Sequence, residues 1–168
     1  DKYCIDTNLL DRNISLFHYN DTFRIFIHEV KYHFRKRLLE DFLKNTKSIS
    51  LYSEQPEIII PIPLHKNRFR WREFNQSSII ANWLSEKLKI PVNENLIKRI
   101  KSTSPQSQLQ TDERKENIIN AFKVIDTVPK TILLVDDVMT TGNTLMECAR
   151  ELKKHGAERV LSFTLFRA

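Results

Sequence analysis

Val135–Leu145 reads VDDVMTTGNTL, and the reading of the fold turns on this stretch. It overlaps Thr131–Val135 (TILLV), the strongest strand pattern in the chain, and leads into a helix predicted over about Asn143–His155 that buries Leu145, Ala149 and Leu152. In an open parallel sheet, ligands collect beyond the carboxyl ends of strands, where loops meet helix N-termini. The first N–H groups of such a helix have no intrahelical partner, and the positive end of its dipole favours an anion. Val138–Asn143 forms the turn into this helix. Thr140, Thr141 and Thr144 add hydroxyl donors, while Gly142 lets the backbone approach a phosphate without a Cβ in the way. Asp136 and Asp137, at the strand end, can accept hydrogen bonds from ribose hydroxyls and help hold Mg²⁺ or its water shell. Together these residues suit a ligand with a 5′-phosphate, a free 2′,3′-diol and a metal-bound diphosphate. The bland alternative is a Thr-Thr-Gly capping turn beside two incidental acids.

Glycine usage sharpens the choice. The chain has two glycines, Gly142 and Gly156. A P-loop and a three-glycine dinucleotide fingerprint are both excluded. A Walker B strand falls with the missing Walker A. A response-regulator receiver has its acids after an early strand, whereas here one helix and one strand follow Asp137. Gly156 follows Lys153–His155 as a helix-ending glycine does. Gly142 has no such ordinary task.

The rest of the chain reads as strands alternating with helices, an α/β domain with a mostly parallel sheet. Ser15–Tyr19 is a short strand. Phe23, Ile27, Val30, Phe34 and Leu38 predict one amphipathic helix from Thr22 to about Asn45. Its other face carries Arg24, Lys31, Arg35, Lys36 and Arg37, either simply solvated or turned to a polyanion. Glu57–Pro61 (EIIIP) is a buried parallel strand closed by proline. Ile79, Ile80, Trp83, Leu84 and Leu88 define a helix that stops before Pro91. Ile100–Glu116 reads as a long mobile loop running into a short helix near Lys115–Asn120, and Arg159–Phe166 as the last strand.

The 168 residues include 40% hydrophobic and 29% charged residues, the balance of a soluble globular protein long enough to bury a core. No apolar run is long enough for a spanning helix. Asp1–Leu10 has no basic-then-apolar leader pattern and no initiator Met, so the sequence reads as beginning partway through a longer chain. A net charge of +6 and a pI of about 9.4 suit polyanionic partners. Cys4 and Cys148 lie too far apart for a metal-binding pair and point to a reduced, cytoplasmic protein.

VDDVMTTGNTL resembles the phosphoribosyl pyrophosphate motif of type I phosphoribosyltransferases. Ile59–Gln76 (IIPIPLHKNRFRWREFNQ) is similar to the IIPVPLH stretch, spaced arginines and GFNQ of one branch, the ComF family of competence-associated proteins. Thr103, Gln106, Leu109, Arg114, Asn117, Ala121 and Phe122 match its T-x-x-Q-x-x-L, R-x-x-N and AF pattern. Tyr19, Ile27, Lys31 and Tyr32 match its upstream positions, so the resemblance covers about Ser15 to Ala168. Glu73 departs from it, standing where the family has glycine.

The resemblance implies a type I phosphoribosyltransferase fold: an N-terminal segment over residues 1–55, helical and hood-like, packing on a core over residues 56–168. It implies that Asp136 and Asp137 meet the ribose hydroxyls and carry any catalysis, with Mg²⁺ held through ligand and water. Val138, Met139, Thr140, Thr141, Gly142, Asn143 and Thr144 would wrap the 5′-phosphate, and Leu64, His65 and Lys66 would meet the diphosphate. For His65 a structural hydrogen bond is an equal reading. Thr103–Arg114 would be the flap of this fold. Family members often begin with a four-cysteine zinc module, of which Cys4 alone could be a remnant, so the expectation is no zinc in this chain. Arg68, Arg70 and Arg72 alternate with Phe69, Trp71 and Phe74; Arg68, Arg70, Trp71 and Arg72 would contact single-stranded DNA, unless the rings pack inward and the arginines face water. The implied role is DNA uptake in natural transformation, with competence or helicase-type partners. An active phosphoribosyltransferase and a ligand-sensing regulator on the same fold remain the alternatives.

Overall fold

The structure is a computed structural model that describes residues 9–46, 55–101 and 118–168. Four strands form one all-parallel sheet in the order β1-β6-β5-β2: β1 (Arg12–His18), β2 (Ile58–Pro61), β5 (Thr131–Met139) and β6 (Arg159–Arg167). The helices are α1 (Asp21–Tyr32), α2 (Lys36–Lys44), α3 (Lys66–Arg72), α4 (Gln76–Leu88) and α5 (Asn143–Lys154). A short antiparallel pair, β3 (Ile97–Arg99) and β4 (Phe122–Val124), stands apart from the main sheet. No helix among the described residues is long and apolar enough to cross a membrane.

The central strands are buried on both faces, which is why they read as unbroken apolar runs. Ile132 and Leu134 of β5 join Leu145, Cys148, Ala149 and Leu152 of α5 in one core. The alternate residues, Leu133 and Val135, meet Ile80, Ala81 and Leu84 of α4 and Val30 of α1 in the other. The polar residues buried in β6 are paired: Ser162 accepts from Asn13 at 2.8 Å, and Thr164 bonds Ser15 at 2.7 Å.

Two expectations need correction. The single helix over Thr22–Asn45 is two helices, because the chain turns at His33–Arg35 with Phe34 at φ 55°. Phe34 and Leu38, expected on the apolar stripe, are exposed, and Leu39 and Leu43 are buried in their place. The turn re-aims α2 so that this second pair reaches the core. The strand of the signature stretch is also longer than Thr131–Val135. Its ladder continues through Asp136↔Thr164 and Val138↔Phe166 to Met139↔Arg167, which pins the acids inside the sheet and leaves Thr140–Gly142 as the turn. β1 is an edge strand of the main sheet, paired in parallel with β6. The loop and flap expected over Ile100–Glu116 lie almost wholly outside the described residues.

Capping follows the sequence closely. Asn20 accepts from the Phe23 amide at 2.9 Å to start α1, and Asn75 accepts from the Ser77 amide at 3.1 Å to start α4. Gly156, at φ 106°, follows α5 as expected. In urea denaturation, Leu133→Ala should cost about 2–5 kcal/mol as a fully buried large-to-small change. Asn20→Ala should cost only about 1 kcal/mol, the loss of one cap.

Candidate ligand-binding site

Period-two geometry sends neighbouring strand residues to opposite faces. Asp136 therefore continues the row of Ile132 and Leu134, and Asp137 that of Leu133 and Val135. The two acids meet different elements. Asp137 is buried and ion-pairs with Lys31 of α1, Nζ to Oδ2 at 2.7 Å. Asp136 Oδ1 accepts from Ser77 Oγ at the start of α4 and from the Asp137 amide, both at 2.9 Å.

Burial and the neighbouring Asp137 push the Asp136 carboxyl up to about 7, against the opposing pull of Lys31 and the two hydrogen bonds. For Lys31, burial works against the charge, yet Asp137 and Asp136 outweigh it and its pKa is raised. Burial draws the Arg72 guanidinium down, with Asp137 opposing.

These groups line a cleft of about 650 Å³. Its floor is the run from Asp136 to Leu145, and its walls include Tyr19, His28, Lys31 and Tyr32 on one side and Arg68, Trp71, Arg72 and Gln76 on another. Gly142 is the N-cap of α5, at φ 75° and with no side-chain cap, so the first-turn N–H groups stay open to an anion. A Cβ there would stand 2.8 Å from Met139 Cε, a movable methyl, so the left-handed backbone is the firmer demand for glycine.

Three residues of the cleft keep a buried donor without a hydrogen-bond partner among the described residues: Arg72 Nε, Gln76 Nε2 and Asn143 Nδ2. Buried donors normally find acceptors. An oxygen-rich anion is the acceptor that would fit, and the paired carboxylates supply the oxygen ligands that Mg²⁺ requires.

All of Val138–Thr144 lines the cleft, as does Leu64. His65 and Lys66 do not. They line a second hollow with Phe69 and Arg70. His65 is the N-cap of α3, its Nδ1 accepting from the Asn67 amide at 3.3 Å, so of its two readings the structural hydrogen bond is present. Burial and the charges of Lys66, Arg99 and Arg68 lower its pKa.

Lys66–Arg72 is helical, and this corrects the reading of an interleaved arginine–aromatic run. Arg68 and Arg72, one turn apart, face the cleft with Trp71, while Arg70 turns to the second hollow. Arg72 is buried, so the three arginines do not form one row. Glu73 adopts φ 66° in the αL cap of α3, the conformation for which glycine is better suited.

The sequence names no site role for Ser77, Gln76 or Arg99 and offers Lys31 only on a helix face open to a polyanion, yet all four line the cleft. For Lys31 a signal existed: Tyr19, Lys31 and Tyr32 stood out together as family-like positions, and all three wall the cleft.

A parallel sheet with an acid pair and an uncapped helix N-terminus at its carboxyl edge places this cleft where open α/β sheets form their ligand sites. Residues 75–168 match the phosphoribosyl transferase domain family model. The chain belongs to that family, in the branch of the ComF-type competence and DNA-utilization proteins. It is 40% identical over 117 residues to Competence protein F of Haemophilus influenzae, covering 67% of this chain and 51% of that protein. It is 30% identical over 165 residues to DNA utilization protein YhgH of Salmonella typhimurium, covering 93% of this chain and 72% of that protein. Competence protein ComFC of Bacillus subtilis is 31% identical over 166 residues, covering 97% and 67%. The chain thus spans about half the length of the first of these relatives.

Two outcomes follow from the site chemistry. Between about pH 4, the ordinary carboxylate range, and about pH 7, the folded chain holds a proton on Asp136 that the unfolded chain has released. Stability contributed by this group is therefore full below that window and lost as pH rises through it. Asp136→Asn should flatten this part of the pH–stability profile measured by urea unfolding; superimposable profiles for the two proteins would contradict the assignment. Separately, Gly142→Ala should lower stability by about 1–2 kcal/mol through its positive φ, measurable in the same assay.

Proposed function

We propose that the cleft binds phosphoribosyl pyrophosphate with Mg²⁺, and that the protein uses this site while handling single-stranded DNA during DNA uptake in the cytoplasm. The observation that carries the reading is the Asp136–Asp137 pair, half-buried and buried respectively, beside the uncapped N-terminus of α5. In this reading the α5 N–H groups and the Thr140, Thr141 and Thr144 hydroxyls hold the 5′-phosphate within the loop Val138–Thr144. Asp136 and Asp137 accept from the ribose hydroxyls. Asp136 and Asp137 would hold Mg²⁺, directly or through water, and the ion would supply neutralisation of the diphosphate charge. Leu64 faces the diphosphate end, and Lys31 holds Asp137 in place.

The DNA component rests on the names of the competence and DNA-utilization relatives, the net charge of +6, and an exposed Trp71 beside Arg68 at the cleft. Competence or helicase-type proteins are the expected partners.

A second reading, an active phosphoribosyltransferase, is favoured by the same acid pair. Negative charge in a cleft partly shielded from water stabilises the positive charge that develops on ribose as diphosphate leaves.

Calorimetry with phosphoribosyl pyrophosphate and Mg²⁺ should show binding that drops at least tenfold in Asp136→Ala/Asp137→Ala and with Mg²⁺ removed. Equal affinity in the double variant would place the ligand elsewhere. Diphosphate release across a panel of nucleobases separates enzyme from binder.

For DNA, fluorescence anisotropy with a single-stranded oligonucleotide should show affinity that falls with salt. Trp71→Ala should weaken it by about 1–3 kcal/mol, the worth of one stacked base. Neutralising Arg68 and Arg70 should reduce the salt slope. Unchanged binding in all three variants would remove α3 from the DNA surface.

A further inference from the structure

The C-terminal end of α1 carries a cluster unconnected with the acid pair. His28, Glu29 and His33 bring their ligand atoms within 4.8 Å of one another, the one such His/Cys/Asp/Glu group among the described residues. We propose that these three residues form a binding site for a divalent transition-metal ion of the zinc class. The proposal is independent of what the cleft binds.

The sequence alone does not place this cluster. His28 and His33 are five residues apart, which on an unbroken helix would set them about 140° apart around the axis. α1 ends at Tyr32, and His33 leaves helical geometry as its C-cap, at φ −105°. The His33 and Arg35 amides both donate to the Glu29 carbonyl, at 3.1 and 3.5 Å, and the chain reverses at Phe34. The His28 and His33 rings then lie 5.6 Å apart between centroids, with His33 Nε2 at 3.8 Å from Glu29 Oε1.

Two neighbours support the ligand role. Arg35 Nε holds the other carboxylate oxygen, Glu29 Oε2, at 3.1 Å, leaving Oε1 on the side of His33. An outer-shell partner of this kind fixes the direction in which a carboxylate presents its ligand atom. Tyr32 packs on the His28 ring with centroids 4.7 Å apart and limits its swing. The site also sits at a helix C-terminus, where the dipole favours positive charge.

The donor set selects the metal. Two imidazoles and one carboxylate suit zinc, whereas magnesium, a hard ion, prefers all-oxygen ligands. Ligand atoms around a tetrahedral zinc stand roughly 3.4 Å apart, at bond lengths of about 2.0–2.1 Å. Closing from 4.8 Å takes movements of about 1.5 Å, within the rotamer freedom of two exposed histidines. Three protein ligands leave a fourth position open, as zinc sites that exchange ligands do. His28 also lines the cleft, so that position adjoins the cleft mouth.

The test is titration of the full, tag-free, chelator-stripped chain with zinc chloride by calorimetry, with cobalt absorption as the geometric readout. One equivalent should bind, and cobalt should give the visible bands of low-symmetry nitrogen–oxygen ligation. His28→Ala/His33→Ala should lose at least tenfold in affinity together with the cobalt bands. Both side chains are exposed, so circular dichroism should show this variant folded. Glu29→Gln should weaken the site while keeping the imidazoles, and Asp136→Asn should leave it intact. An unliganded parent, or zinc binding that survives the double histidine change, overturns the proposal. Loss in Asp136→Asn but not in the histidine variant would assign the ion to the cleft instead and equally overturns it.

Discussion

The site depends on holding two adjacent carboxylates, one buried and one half-buried, inside a parallel sheet. Asp136 and Asp137 are consecutive residues of β5, held in ladder register with Thr164 and Phe166 around them. Such a pair repels itself and loses hydration, which is the physical content of the raised Asp136 pKa. The fold answers with two helices. Lys31 comes from α1 to Asp137, and Ser77 comes from α4 to Asp136. Breaking a buried pair by removing one partner is costly because the other charge is left alone. The N-terminal helix is therefore tied to the chemistry of the sheet, although many residues separate it from the acids in sequence.

This tie explains the division of labour around the cleft. α5 contributes an open N-terminus and a glycine cap, α4 a hydroxyl and a buried amide, α1 a cation, and α3 two arginines and an indole. No single element builds the site. Because α1 and α2 are separate, α1 can meet the sheet edge with Lys31 while α2 folds back to bury Leu39 and Leu43. A straight helix over the same residues would run about 36 Å, too long to serve both positions.

Much of this was legible in the sequence, and the reasons differ residue by residue. The TILLV run, the single glycine after two threonines and the acids before them encode local requirements: burial on two faces, a positive φ, an anion site. Local requirements leave local marks. The turn at Phe34 leaves none, since a phenylalanine at positive φ is held there by surrounding structure and the apolar stripe runs straight through it. Lys31 looked like any other cation on a polar helix face, because periodicity assigns a face without naming the tertiary partner. Lys66–Arg72 alternates charge and ring, which mimics an extended strand, and only the capping His65 marks it as helix. β3 and β4 are three residues each and pair across a long separation, too short to carry a period.

The helical form of α3 also bears on what the cleft can favour. A groove that merely tracks nucleic-acid backbone presents one sign of charge along its length, with rings at intervals. Here the basic wall of Lys31, Arg68 and Arg72 stands over an acidic floor, and one of its arginines is buried beside that floor. An oligonucleotide backbone alone would meet the carboxylates unfavourably. A ligand with phosphate at the α5 end, hydroxyls over the acids and a cation to share satisfies every charge at once. The mixed charge therefore divides the cleft into an acidic floor at Asp136 and Asp137 and an exposed rim at Trp71, well apart in chemical character.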